Sequence, residues 1–176
     1  MQTEIHWYAI YCKSRHERMV DDRLRVKGVA TYLADCEMRV QWGERRRKVR
    51  KNLMPGYVLV QAEMNPRVYL EILQTQSVVK FVGKPWPNLT WIPDDQVGNL
   101  RLLLGSQQPF EEVPYWRAGE RVEVVAGPLM GLHGLVAGSA NRKHRVIVSI
   151  DLLQRSLAVE VDAQFLRRVA QPGLAA

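Results

Sequence analysis

Seven consecutive residues, Arg45-Arg46-Arg47-Lys48-Val49-Arg50-Lys51, hold six cations. That density suits electrostatic attraction to a polyanion and performs no bond-making chemistry. So many like charges cannot be desolvated together, so the run must lie on an exposed hairpin, either against phosphate or simply solvated. Other reactive residue types are scattered. Asp94-Asp95 and the four histidines make no acid/base pair, nucleophile triad or metal set, and acids at a helix start have a structural explanation. Cys12 and Cys36 stand alone, without a CxxC pair or a histidine cluster of ligand spacing, and read as core thiols. The sequence thus predicts no catalytic residue, no metal and no cofactor.

The chain has 176 residues, 47% of them apolar, 24% charged, with a net charge of +7. This suits one domain or two small ones with real cores. Apolar stretches are short and broken by charges, and the N-terminus lacks a signal pattern, so a cytoplasmic protein without membrane contact is expected. Residues 1–106 carry 17 Lys or Arg against 11 Asp or Glu, whereas residues 107–176 carry 8 against 7. The basic excess belongs to the first part, and nucleic acid is its natural partner.

Trp7-Tyr8-Ala9-Ile10-Tyr11 reads as a buried strand. Ser14-Arg15-His16-Glu17 has capping-box spacing, so a helix is predicted from there to Gly28. Short strands are expected near 30–33 and over 37–42, then a turn at Gly43-Glu44. Pro55-Gly56 admits Tyr57-Val58-Leu59-Val60, whose continuous apolarity predicts a central strand covered on both faces. Asn65-Pro66 starts a second helix, Val78–Gly83 forms a strand, and a third helix runs from Pro93 to about Leu104. Residues 105–116 lack periodicity and read as a linker. Strands at 122–126, 135–137, 146–150, 157–161 and 165–169 fit a small closed barrel. The fold class is α+β: an N-terminal, mostly antiparallel sheet flanked by helices over 1–105, a linker over 106–116, a barrel over 117–171 and a tail over 172–176.

In the barrel, Val122 and Val124 share a strand face, Gly127 and Pro128 turn the chain, and Gly131 and Gly134 supply backbone freedom at a crowded corner. This arrangement resembles the KOW motif of ribosomal proteins and transcription elongation factors. Trp7-Tyr8, Pro55-Gly56-Tyr57-Val58-Leu59-Val60, Val79-Lys80-Phe81-Val82-Gly83 and Ile92-Pro93 follow, in order, the pattern of the NusG N-terminal domain. The resemblance to the NusG family spans residues 7–169. Tyr8–Ser14 is similar to the start of RfaH and Leu152–Glu160 to the UpxY branch, which implies a specialised paralogue of the RfaH, UpxY or LoaP kind.

The resemblance implies a factor that bridges the main cleft of bacterial RNA polymerase, suppresses pausing and promotes antitermination. Tyr11, Leu53, Met54, Pro55, Gly56, Tyr57 and Phe81 match the apolar patch that grips the polymerase clamp helices, with core packing as the competing role for Tyr57 and Phe81. Lys13, Arg15 and His16 match a surface that contacts exposed non-template DNA, and Arg45, Arg46, Arg47 and Lys48 are a second nucleic-acid candidate, facing upstream DNA. Met19 replaces a further arginine of RfaH. Val68-Tyr69-Leu70 replaces its His-Thr-Thr step at the gate loop. The barrel would recruit the NusE ribosomal protein, Rho or nascent RNA through Ile150, Asp151, Leu152 and Leu153. Two alternatives stand beside this: a general NusG-type factor, or a KOW-containing RNA-binding or ribosome-associated protein that never engages polymerase.

Overall fold

The computed structural model describes residues 4–43, 45–116, 118–140 and 142–169. The tail expected over 172–176 and Glu44 of the expected turn lie outside them. The chain divides into two compact units, Met1–Asp94 and Asp95–Ala176.

In the first unit β1 (Ile5–Cys12) is the central strand. β5 (Tyr57–Glu63) flanks it on one side and β6 (Val78–Phe81) on the other, and β2 (Ala30–Tyr32) pairs with β5 at the edge, all antiparallel. Alternation along β1 sends Tyr8, Ile10 and Cys12 to one face, where they meet Val58 and Val60 of β5 and Phe81 of β6. Val20 and Leu24 of α1 (Glu17–Val26) and Ile72 of α2 (Pro66–Leu73) close that core. Each such buried aliphatic side chain contributes about 1.5–3 kcal/mol. Trp7, Ala9 and Leu59 are buried on the opposite face, and Ile92 N–H donates to Trp7 O at 2.7 Å, so β5 is covered on both sides as its apolar run predicts. A separate two-stranded ribbon, β3 (Asp35–Trp42) with β4 (Arg45–Asn52), completes the unit.

Helix starts divide between expectation and correction. Asn65 caps α2 through its Oδ1, which accepts from Val68 N–H at 3.0 Å, with Pro66 in the first turn. The capping box at Ser14 does not form. Arg15 adopts a left-handed φ of 64°, so α1 begins at Glu17, after His16, with no side-chain cap. The Glu17 carboxylate is drawn elsewhere: Gly56 N–H donates to its Oε1 at 2.6 Å in a buried site.

The second unit opens with α3 (Asp94–Gly105), which buries Val97, Leu100 and Leu103. The division falls at the first residue of this helix, whereas the sequence reading closes the first domain after its last. Side chains on α3 bond to the strands that follow: Asn99 Oδ1 accepts from His133 N–H at 2.8 Å, and Gln96 exchanges two hydrogen bonds with Asp151. The segment read as a linker also contains structure, since β7 (Phe110–Val113) pairs antiparallel with β11 (Arg155–Asp162). Its alternation is too short to register as periodic.

The SH3-like barrel unit forms a six-stranded antiparallel sheet in the order β12-β8-β9-β10-β11-β7. Its remaining strands are β8 (Glu120–Val124), β9 (His133–Ala140), β10 (Lys143–Ile150) and β12 (Leu166–Arg168). The last strand, β12, returns to pair with β8, the first strand of the expected barrel. Val122, Val124, Leu132, Val146, Val148, Leu157 and Val159 supply its core.

Candidate functional site

Tyr11 and Tyr57 are register partners on β1 and β5, their rings tilted against one another with centroids 5.6 Å apart. Tyr11 is 38% exposed and Tyr57 half-buried, so the pair presents an aromatic surface. Gly56 lies beneath it. Its φ is +88°, and a Cβ there would stand 2.8 Å from Tyr11 Cε2, so a side chain would strain the backbone and push the ring aside. Gly56 is held at both ends, because its carbonyl accepts from Cys12 N–H at 2.7 Å while its N–H donates to Glu17. Pro55 is exposed beside this pair.

The other residues matched to the apolar patch are not at the surface. Leu53 and Met54 are each 3% exposed, and Phe81 belongs to the core, stacked on Tyr69 at 5.0 Å and edge-on to Tyr8. Phe81 pairs with Ile10 on the core face, which alternation along β1 turns away from Tyr11. A second aromatic group escaped the sequence reading: His6 stacks on Trp91 at 4.8 Å, and Trp91 is half exposed. Only the fold brings the start of β1 against residue 91.

Lys13 and Arg15 are exposed and His16 is half-buried. The loop that carries them is fastened to a distant turn. Lys13 N–H donates to Ser77 O at 2.9 Å, and His16 Nδ1 lies 2.8 Å from Ser77 Oγ. Ser77, like Arg15, is a non-glycine residue in the left-handed region, with φ 77°. Such conformations cost of order 1–3 kcal/mol and persist only where surrounding bonds enforce them. Nothing in the sequence announces Ser77.

Arg45, Arg46, Arg47 and Lys48 are exposed along β4, in the strand itself and not confined to the hairpin tip. Their strand is anchored at its base, where Asp35 pairs with Arg18 of α1 at 2.9 Å and with Arg50 at 3.7 Å. The barrel contrasts with the ribbon. Arg167 pairs with Glu123, Arg168 with Glu120, Arg145 with Glu111 and Lys143 with Glu160. The Arg167 hydrogen bond holds the Glu123 carboxyl below its ordinary range.

In the barrel's glycine loop, Met130 N–H donates to Gly127 O at 3.1 Å and Gly131 N–H to Val124 O at 2.8 Å. This tight return buries Leu129 and Leu132 and leaves Pro128 and Met130 exposed. A Cβ on Gly134 would stand 2.6 Å from Ile147 O, so β9 and β10 approach too closely for any side chain there. Of the expected partner surface, Ile150 and Leu153 are core and Leu152 is half-buried. Asp151 is exposed, its carboxylate taking hydrogen bonds from Tyr115 Oη and Gln96 Nε2, each at 2.8 Å. A cleft of about 580 Å³ opens beside it, lined in part by Asn99, Trp116, Arg121 and His133.

Cys12 is wholly buried, and burial, reinforced by the nearby Glu17 charge, pushes its thiol up to about 12. Neither cysteine is in a disulfide. Among the described residues no group of three or more His, Cys, Asp or Glu could hold a metal ion, and no helix is long and apolar enough to cross a membrane.

Residues 5–101 match the family model described as transcription termination factor nusG. The transcription termination/antitermination protein NusG of Pasteurella multocida is 30% identical, the match covering 91% of this chain and 93% of that protein. Its namesake in Pseudomonas aeruginosa is 29% identical, with 93% of this chain and 98% of that protein covered. Among solved structures, Thermotoga maritima NusG aligns at 20% identity with a TM-score of 0.49, covering 95% of this chain and 98% of that one.

Proposed function

Because this chain belongs to the NusG family of transcription factors, we propose that it binds bacterial RNA polymerase across the main cleft, suppresses pausing and promotes antitermination. No bond is made or broken in such a role, so the chain acts as a binding factor in the cytoplasm, where polymerase works. The Tyr11–Tyr57 pair over the pinned Gly56 carries the proposal. It is a partly exposed aromatic anchor on a rigid strand, the kind of group that dominates interface energies. Pro55 extends it, while Leu53, Met54 and Phe81 are buried in the first unit.

Lys13, Arg15 and His16, with Arg45, Arg46, Arg47 and Lys48, contact non-template or upstream DNA. The barrel recruits a further partner, NusE, Rho or nascent RNA, through the exposed Asp151 and the half-buried Leu152, since Ile150 and Leu153 are committed to the core. An operon-specific paralogue fits the RfaH-like start at Tyr8–Ser14 and the UpxY-like Leu152–Glu160.

Tyr57→Asp tests the polymerase grip. Losing one anchor worth about 2 kcal/mol weakens binding to core polymerase by about 30-fold, with the thermal transition retained. Unchanged binding by the folded variant would remove the proposal. Transcription in vitro through the protein's own leader and through unrelated templates separates a specialist, active on the leader alone, from a general factor.

A further inference from the structure

The β3–β4 ribbon is densely cationic on both of its faces. Strand residues alternate in direction, so Arg45, Arg47 and Lys51 project to one side of β4 while Arg46, Lys48 and Arg50 project to the other. All six are exposed. A protein surface meant to lie flat on a phosphate backbone needs cations on one side only. Charge on two opposite sides suits a partner that surrounds the strand with phosphates on both sides.

The charge of Arg45, Arg46 and Arg47 is also available. Among the described residues no carboxylate pairs with Arg45, Arg46 or Arg47. Lys48 meets Glu37 at a loose 3.8 Å, and such exposed pairs are worth little. Every ion pair described on the barrel, by contrast, joins a cation to a carboxylate on another strand. The ribbon belongs to no larger sheet among the described residues, and although Cys36 and Asp35 are buried at its base, the run 45–51 of β4 is exposed throughout. Its direction is nonetheless fixed at the base, by Asp35 bridging Arg18 and Arg50 and by Leu53 N–H donating to Ala34 O at 2.9 Å.

Dimensions choose among polyanions. The B-form major groove, about 12 Å wide, admits a two-stranded ribbon. The deep, narrow major groove of an RNA duplex does not. Single strands are held by successive aromatic platforms. β4 has no aromatic residue, and Trp42, at the terminal register position opposite Arg45, is the ribbon's sole one.

The geometry points to the ribbon entering the major groove of double-stranded DNA, the cations of each face meeting a different backbone, a role that rests on the nucleic-acid contact proposed above. Arg45 and Arg47 neutralise phosphates of one strand, and Arg46 and Lys48 those of the other.

Fluorescence anisotropy with the full chain and a labelled 25-base-pair DNA duplex, over a range of salt concentrations and without polymerase, tests this. Arg45→Gln with Arg47→Gln empties one face, and Arg46→Gln with Lys48→Gln the other. Each pair lowers the log–log salt slope by about 1.8, from about 0.9 per phosphate contact. Glucosylated hydroxymethylcytosine, which fills the major groove, weakens binding, while netropsin in the minor groove leaves it unchanged. Loss from one face alone, loss from neither, indifference to the filled major groove, or equal loss by both pairs on single-stranded DNA or an RNA duplex would each overturn groove entry. Tyr57→Asp is expected to bind this DNA like the parent chain, so failure here and failure of the polymerase grip give different results.

Discussion

The carboxylate of Glu17, at the first residue of α1, accepts the amide hydrogen of Gly56, thirty-nine residues away, at 2.6 Å inside the fold. That single bond ties the helix to the turn on which the Tyr11–Tyr57 pair rests. It also occupies the carboxylate that a capping box would have sent back to Ser14.

Removing the acceptor with Glu17→Ala leaves a buried N–H unsatisfied and is expected to cost about 1–3 kcal/mol, read as a lowered urea midpoint. Glu17→Gln keeps an acceptor oxygen and should cost less. Equal losses in the two variants would show that the carboxylate's charge, and not its oxygen, matters.

Gly56→Ala places a methyl group against the Tyr11 ring and forces a left-handed backbone on an L-residue. The strain, about 1–2 kcal/mol, is expected to displace Tyr11 and weaken polymerase binding more than it lowers the melting temperature. Binding that falls only in proportion to the folded fraction would mean that the ring has room to adapt.

Gly134→Ala is expected to destabilise the barrel by at least about 1–3 kcal/mol, the usual cost of overpacking. Here the obstacle is the Ile147 carbonyl, which cannot move as a flexible side chain could. Thermal unfolding followed by circular dichroism measures it, and an unchanged transition would contradict the close approach of β9 and β10.

Cys12 makes stability fall in alkali. Its folded value is raised from 9 to about 12, so the folded state holds the proton more tightly than the unfolded chain. The contribution is fully present below about pH 9 and is lost as pH rises through about 12. Denaturant titrations between pH 8 and 10.5 should show a downward slope that is shallower in Cys12→Ala, and identical slopes would assign the loss to other groups.

Much of the architecture was legible because it is written in local pattern. The apolar run Tyr57–Val60, the Asn65-Pro66 helix start and the glycine loop at 127–131 each state their conformation within a few residues. What escaped depends on pairs far apart in the chain. Glu17 looks like half of a capping box until Gly56 arrives beside it, and Ser77 is unremarkable until it meets Lys13 and His16. Leu53 and Met54 share the motif of Tyr57, yet the strand's alternation and the turn before it decide which of them reaches solvent. Phe110–Val113 became a strand only because β11 offers it an edge.

The β3–β4 ribbon stands outside the four-stranded sheet of its unit. Two paired strands with no third to support them are marginally stable, so this is where the native chain opens most readily. Six of seven residues there are sites for trypsin. Limited digestion should therefore sever the protein first between Arg45 and Lys51, leaving a nick whose disappearance in the presence of a bound partner maps occupancy of the ribbon.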